Sequence, residues 1–243
     1  MGAVVAAACA SGATYDEIVI AARSLSQRDV ARVDPLALVK GVFATHLLKP
    51  AGLRRAIERF VSATRFDQLR IPLTITATDL DSGELVLFDD VRAQHAAPRH
   101  DAVPLHDALY ASCALPLYFP PVVINGRRLG DGGLRAVLPL EVARSIPADL
   151  VVAIDAGPGF DEPPLPPSTA LSRLLPPPLI RAHGEAIRIM MAAQTERAIA
   201  DWPTDAPKLV VVRAVAEREA TFAVGAGDRY LQAGYDATKR ALG

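Results

Sequence analysis

The pattern of apolar and polar positions changes period repeatedly along the chain, and each change marks a boundary between an expected helix and an expected strand. Gly2 to Ala10 is small and apolar all round, and Ser11-Gly12 follows, which predicts a buried helix with a glycine stop. No Ser, Thr, Asp or Asn precedes that helix to satisfy its first N–H groups. Helical spacing recurs over residues 16–23, 34–46 and 53–63. Residues 71–78 (IPLTITAT) are rich in β-branched side chains and predict a strand. Asp81-Ser82-Gly83 then predicts a turn, and residues 84–88 (ELVLF) its hairpin partner. A short helix is expected over 104–113, ending before Pro116.

Two apolar runs flank Asn125-Gly126, a dipeptide suited to a type I′ turn because both central positions need positive φ. The second run leads directly into Gly130-Asp131-Gly132-Gly133. Residues 141–145 read as helix and 150–155 (LVVAID) as a strand apolar on both faces, hence one covered on both sides. Prolines crowd the stretch 157–178, which predicts a surface excursion without regular structure. A long helix over 179–201, a buried strand over 208–213 (KLVVVR) and a closing amphipathic helix over 228–242 complete the chain. Strands alternating with helices in this way predict one three-layer α/β domain spanning residues 1–243, with no internal repeat.

Charge narrows the functional classes. With 26 Lys and Arg against 27 Asp and Glu, and no basic stripe interleaved with aromatics, nucleic acid is not an expected partner. Cys9 and Cys113 show no metal-ligand or CxxC spacing and read as buried free thiols. No apolar run reaches the roughly 18 residues that predict a membrane span. The run from Ala3 to Ala10 has no basic flank ahead of it and is short for a signal peptide.

The richest candidate for chemistry is the turn after Leu129. Three glycines around one aspartate describe a backbone that folds sharply, or approaches another group closely, while presenting a single carboxylate. At a strand end in an α/β domain, that carboxylate faces the usual position of a site. The plainer alternative is a tight turn in which Asp131 bonds neighbouring N–H groups.

Residues 66–156 resemble the patatin-like phospholipase family. The matching segments are Phe66-Asp67-Gln68-Leu69, Thr76-Ala77-Thr78-Asp79-Leu80 with Ser82-Gly83, and Ala108 to Pro121 (ALYASCALPLYFPP). Asn125-Gly126, Asp131-Gly132-Gly133 and Ala148 to Asp155 follow, and Ala233-Gly234-Tyr235 is similar to the end of the family's domain. The resemblance implies an α/β/α acyl hydrolase with a Ser/Asp dyad and no cofactor or metal. The nucleophile would be the serine of a Gly-x-Ser-x-Gly elbow, and Asp131 matches the position of its base. It implies a lipid or acyl-ester substrate, met at a membrane surface, and a cytoplasmic or peripheral membrane location.

No Gly-x-Ser-x-Gly occurs in these 243 residues. The opening Met1-Gly2-Ala3-Val4-Val5 resembles the end of such an elbow, with Gly2 as its last glycine. The expectation is therefore a patatin-like domain lacking its first strand and nucleophile elbow, with the serine just before Met1. Residues 1–243 by themselves are then expected to show no dyad hydrolysis and low stability. The competing expectation is a non-catalytic fragment or pseudoenzyme that at most binds lipid or a partner.

Gly2, Gly130, Gly132 and Gly133 are the expected site-shaping positions. Leu117, Tyr118 and Phe119 read either as a wall of an acyl-chain pocket or as ordinary core. Ser112 reads as a helix-terminal hydroxyl rather than a nucleophile. His46 stands apart, the spacing of His95, His100 and His106 fits no metal-ligand pattern and reads as ordinary loop histidines, and His183 reads as a solvated surface residue. Asp79 and Asp81 are expected to bond the N–H groups of their turn, and Asp155 to cap local backbone. Gly225-Ala226-Gly227 lacks the setting of a dinucleotide loop.

Overall fold

A computed structural model describes residues 1–25, 30–89, 103–157, 178–213 and 227–243, without the side chains of residues 38, 42 and 178–181. The chain divides into two compact units, residues 1–135 and 136–243.

The first unit opens with α1 (Gly2–Ala10), which Ser11 and a left-handed Gly12 (φ +88) terminate as expected. Its burial differs from the reading of an all-round buried helix. Val4, Ala7, Ala8 and Ala10 are buried, whereas Val5, Ala6 and Cys9 are exposed. Small side chains fill a narrow seam here, and their apolarity alone does not place the opposite face in the core. Of the two thiols expected to be buried, only Cys113 is.

Helix α2 (Tyr15–Ser24) begins at a reciprocal cap. Thr14 Oγ1 accepts from Glu17 N at 3.3 Å, and the Glu17 carboxylate accepts from Thr14 N at 2.7 Å. Those bonds, the backbone one foremost, hold the Glu17 carboxyl below its ordinary pKa. Thr14→Ala leaves the Glu17 N–H without its partner and removes the hydroxyl's bond to the Glu17 carboxylate, and is expected to lower the melting temperature by about 3 °C. Calorimetry at neutral pH checks this. The deficit should shrink only in part as pH falls through the depressed Glu17 pKa, because of the two bonds lost only that from the Thr14 hydroxyl to the Glu17 carboxylate depends on the charge.

The helix expected over 34–46 is cut short. Asp34 caps α3 (Pro35–Lys40) by accepting from Leu36 N at 3.1 Å, and Gly41 (φ +54) turns the chain out of the helix into a single 3₁₀ turn. The glycine breaks a pattern whose apolar spacing runs straight through it. Helix α4 (Pro50–Phe60) starts three residues earlier than its spacing suggests, because Pro50 is suited to a first helical position.

Strand β1 (Ile75–Asp79) is shorter than the β-branched run, since Pro72 has no N–H to give a ladder. It pairs antiparallel with β2 (Leu85–Phe88), as the intervening turn predicts. Helix α5 (Leu105–Cys113) is buried from Leu105 and from Ala108 through Cys113. Strands β3 (Val122–Ile124) and β4 (Arg127–Asp131) form the Asn-Gly hairpin, with φ of +52 and +77 at Asn125 and Gly126. The four-stranded sheet has the order β2-β1-β4-β3 and is antiparallel throughout. Leu53, Ile57, Ile75, Leu105, Leu109, Tyr110 and Leu129 pack together as its core.

In the second unit α6 (Leu140–Arg144) precedes β5 (Leu150–Asp155), the long helix α7 (Pro178–Ala200) precedes β6 (Lys208–Arg213), and α8 (Gly227–Leu242) ends the chain. Strands β5 and β6 pair in parallel and in register from Leu150↔Lys208 to Asp155↔Arg213. Strand β5 is not covered on both faces as its composition suggests. Val151, Ala153 and Asp155 are buried while Leu150, Val152 and Ile154 are exposed. The Pro-rich excursion lies, apart from its two ends, outside the described residues. Among those residues no helix is long and apolar enough to cross a membrane. Helices and sheets of both kinds make this an α/β protein.

Candidate active site

Asp131 is the last residue of β4, and three contacts fix its backbone. Its N–H donates to Ala114 O at 3.0 Å, at the carboxyl end of α5. Its carbonyl accepts from Thr78 Oγ1 at 2.9 Å, and β1 pairs Ala77 opposite it. The chain then enters a 3₁₀ turn over Gly132–Leu134, whose Gly133 N–H donates to Asp131 Oδ1 at 2.7 Å.

The glycines have different reasons to be there. A Cβ on Gly132 would stand 2.4 Å from Thr76 O and 2.6 Å from Thr76 Oγ1, so no side chain fits. A Cβ on Gly130 would press on Leu80 and on Ala114 O at 3.1 to 3.2 Å. Gly133 supplies the donor for the carboxylate. At Gly2 a Cβ would meet nothing within 4 Å, so packing among the described residues places no demand on it.

Burial pushes the Asp131 carboxyl above its ordinary pKa, against the pull of the positively charged chain terminus and of Gly133 N–H. That terminus is the Met1 ammonium. The Cys113 thiol foremost, and then the Asp131 carboxylate, raise the pKa of this ammonium against the opposing effect of desolvation, while the Met1 residue as a whole is exposed. The fold brings the opening of α1 to the end of α5 and the Asp131 turn, although Met1 precedes both by more than a hundred residues. Nothing in local periodicity signals this, and Cys113 at this position is the participant that sequence reasoning left as plain core.

The aromatic stretch after α5 divides. Phe119 is buried in the core, while Leu117 and Tyr118 are half-buried. Burial raises the Tyr118 phenol pKa. Leu117 holds a φ of +74, a costly conformation for a branched side chain, and its carbonyl accepts from Leu47 N at 2.9 Å. The next carbonyl, of Tyr118, accepts from Leu48 N at 2.8 Å. Tyr110 fixes the far end by donating its hydroxyl to Pro120 O at 2.9 Å, with the Arg54 guanidinium 4.4 Å above its ring. Burial pushes the Tyr110 hydroxyl up to about 12.

The other candidates take structural places. Ser112 is buried within α5. Asp79 accepts from Asp81 N and Ser82 N as expected, and also from Arg127 Nε at 2.7 Å. Asp81 does not bond its turn and pairs instead with Arg128 at 2.6 Å. Asp155 accepts from Gly157 N and from Arg213 Nε, both at 3.0 Å. His46 lies 3.6 Å from Asp34, and His106 Nε2 is 2.9 Å from Val61 O. His183 is half-buried rather than solvated, with Nε2 buried and without a hydrogen-bond partner among the described residues. His95, His100 and most of the stretch 225–227 lie outside the described residues.

Asp131 thus stands half-buried at the end of β4 and presents one carboxylate from a turn in which Gly132 leaves no room for a side chain. Residues 1–144 match the Patatin family, described as patatin-like phospholipase, and the chain belongs to that family. It is similar to uncharacterised NTE family proteins of Mycobacterium bovis and Mycobacterium tuberculosis, at 33% identity over 181 residues. That alignment covers 72% of this chain and 45% of each relative, so the chain spans less than half the length of the curated relatives it matches. The family is one of lipid hydrolases.

Proposed function

We propose that this chain supplies the base of a lipid acyl hydrolase, with Asp131 serving a serine joined directly to the Met1 nitrogen. The observation that carries the reading is the coupling of that nitrogen to both the Cys113 thiol and the Asp131 carboxylate. A residue attached there stands beside a carboxylate held by Gly133 N–H. The opening of α1 would then be the helix of a nucleophile elbow, with Gly2 just inside it.

In this scheme Asp131 accepts the serine proton as the serine oxygen attacks the acyl carbonyl. The alcohol leaves with that proton, and an acyl-serine remains. Asp131 next takes a proton from water as its oxygen attacks the acyl carbon, and returns that proton to the departing serine oxygen as the fatty acid is released. Burial helps here, since a carboxylate with a raised pKa is a stronger base. The half-buried Leu117 and Tyr118 serve as an apolar wall for the acyl chain.

The test joins a strand ending in Gly-x-Ser to Met1 and assays p-nitrophenyl acyl esters. The extended chain is expected to hydrolyse them, and residues 1–243 are not. A folded extended chain without activity would favour the non-catalytic alternative, with Asp131 a turn residue only. The pH dependence gives a further expectation. Activity should fall with acid as Asp131 protonates, with the midpoint above the ordinary carboxylate range. Linking Met1 to a preceding residue removes the ammonium charge that favours the ionised carboxylate, and this moves the midpoint further up. A pH–rate profile with its acid limb at an ordinary aspartate pKa would contradict a buried base.

A further inference from the structure

Residues 33–48 form a finger closed at its neck. Val33 bridges Leu48, Asp34 N donates to Leu47 O at 2.8 Å, and Lys49 N donates to Arg32 O at 2.8 Å. Among the described side chains of α3, Ala37 is the one that is buried. Leu36 is 62% exposed and Val39 and Phe43 are each 84% exposed, so three apolar side chains of this one segment stand in solvent. Leu36, Val39 and Lys40 fall on one side of the helix by their three- and four-residue spacing.

The charge carried by this segment is mostly of one sign. Arg32, Lys40 and Lys49 are all exposed, and the only acid between residues 30 and 50 is Asp34. Asp34 is itself engaged, capping Leu36 N at 3.1 Å and lying 3.6 Å from His46. Exposed apolar side chains on a segment that carries Lys40 between them and Arg32 and Lys49 at its neck match an anionic lipid interface, where acyl chains meet phosphate headgroups. A protein partner for so small a patch would have to supply both an apolar socket and an acidic rim.

We propose that this finger docks on an anionic lipid surface, inserting Leu36, Val39 and Phe43 while Arg32, Lys40 and Lys49 meet the headgroups. The neck of the finger carries Leu47 and Leu48, which bond the Leu117 and Tyr118 carbonyls. Docking therefore sets the lipid beside the same apolar stretch that leads from α5 toward the Asp131 turn. The inference rests on the lipid-directed part of the proposed function and is independent of the dyad.

The test is cosedimentation with extruded vesicles of phosphatidylcholine alone or with about one third phosphatidylglycerol. Binding is expected to the anionic vesicles, weakening with added salt. Val39→Asp with Phe43→Asp should weaken it at least tenfold, and Lys40→Glu by roughly fivefold or more. All three positions are exposed, and circular dichroism confirms that the variants stay folded. Phe43→Trp gives a second readout, a blue-shifted emission on adding anionic vesicles. Asp131→Ala should leave vesicle binding unchanged, which separates this inference from the catalytic one. The proposal is overturned if the protein ignores anionic vesicles, if the double aspartate variant binds as the parent does, or if light scattering shows that variant merely dissolving a dimer.

Discussion

Asp131→Asn, in a chain carrying the serine ahead of Met1, is expected to lower kcat/KM for acyl esters by about a thousandfold with little change in KM. The asparagine is nearly the same size, and its carbonyl oxygen can still accept the Gly133 N–H that holds Asp131 Oδ1 at 2.7 Å. The turn should therefore survive while the ability to take a proton is lost. A stability measurement alongside the assay separates the two. Burial raises the Asp131 pKa, so the folded protein holds that proton more tightly than the unfolded chain does. This contribution to stability is present at low pH and disappears as pH rises through the folded pKa, leaving an ionised buried carboxylate at neutral pH. Asp131→Asn removes that burden, and its melting temperature at pH 7 should equal or exceed that of the parent. Loss of activity with retained or increased stability marks a residue kept for chemistry. An asparagine variant as active as the parent would leave Asp131 as a turn residue.

Gly132→Ala should have the largest effect on the fold. The new Cβ would lie 2.4 Å from Thr76 O and 2.9 Å from Thr76 C, and these are backbone atoms of the strand β1 that pairs with β4. Backbone held by a ladder on both sides cannot give way as the end of a flexible side chain can. The expected loss is about 3 kcal/mol, seen in chemical denaturation as an earlier midpoint at similar slope. Activity should fall as well, because Gly133 N–H follows directly and the carboxylate would turn with it. Gly184→Ala is the control. It lies in α7 with nothing within 4 Å of the added atom, and the helical preference of alanine should make it neutral or stabilising by about 0.5 kcal/mol.

Local chemistry makes much of this legible from the sequence. The Asn125-Gly126 hairpin, the turn at Asp81, the strand over 150–155 and the long helix before β6 all follow from short-range rules. So does the peculiarity of Asp131 among three glycines. The misreadings share a cause. Gly41 ends α3 inside a continuous apolar rhythm, and Pro72 trims β1 inside a continuous β-branched run. In each case one residue's backbone chemistry outweighs the pattern of its neighbours. Burial was harder still. Alanine and valine occupy both faces of α1 and β5, and composition does not tell which face meets a neighbour. The convergence of Met1, Cys113 and Asp131 is a tertiary fact carried by the sheet register and by the Ala114–Asp131 bond. The exposed finger escapes sequence reading for a related reason. Leu36, Val39 and Phe43 look like core on any hydropathy scale, and only the fold leaves them in solvent.

Covalent labelling tests the central claim most directly. A fluorophosphonate reacts with a serine activated by a neighbouring base, and the mass of the labelled peptide identifies the residue. In the chain extended at Met1 through Gly-x-Ser, the label should fall on the serine bonded to Met1. Asp131→Asn should slow labelling at least a hundredfold. A folded, extended protein that takes the label on Ser112, takes none, or labels equally fast with asparagine at position 131 would contradict a dyad built on Asp131.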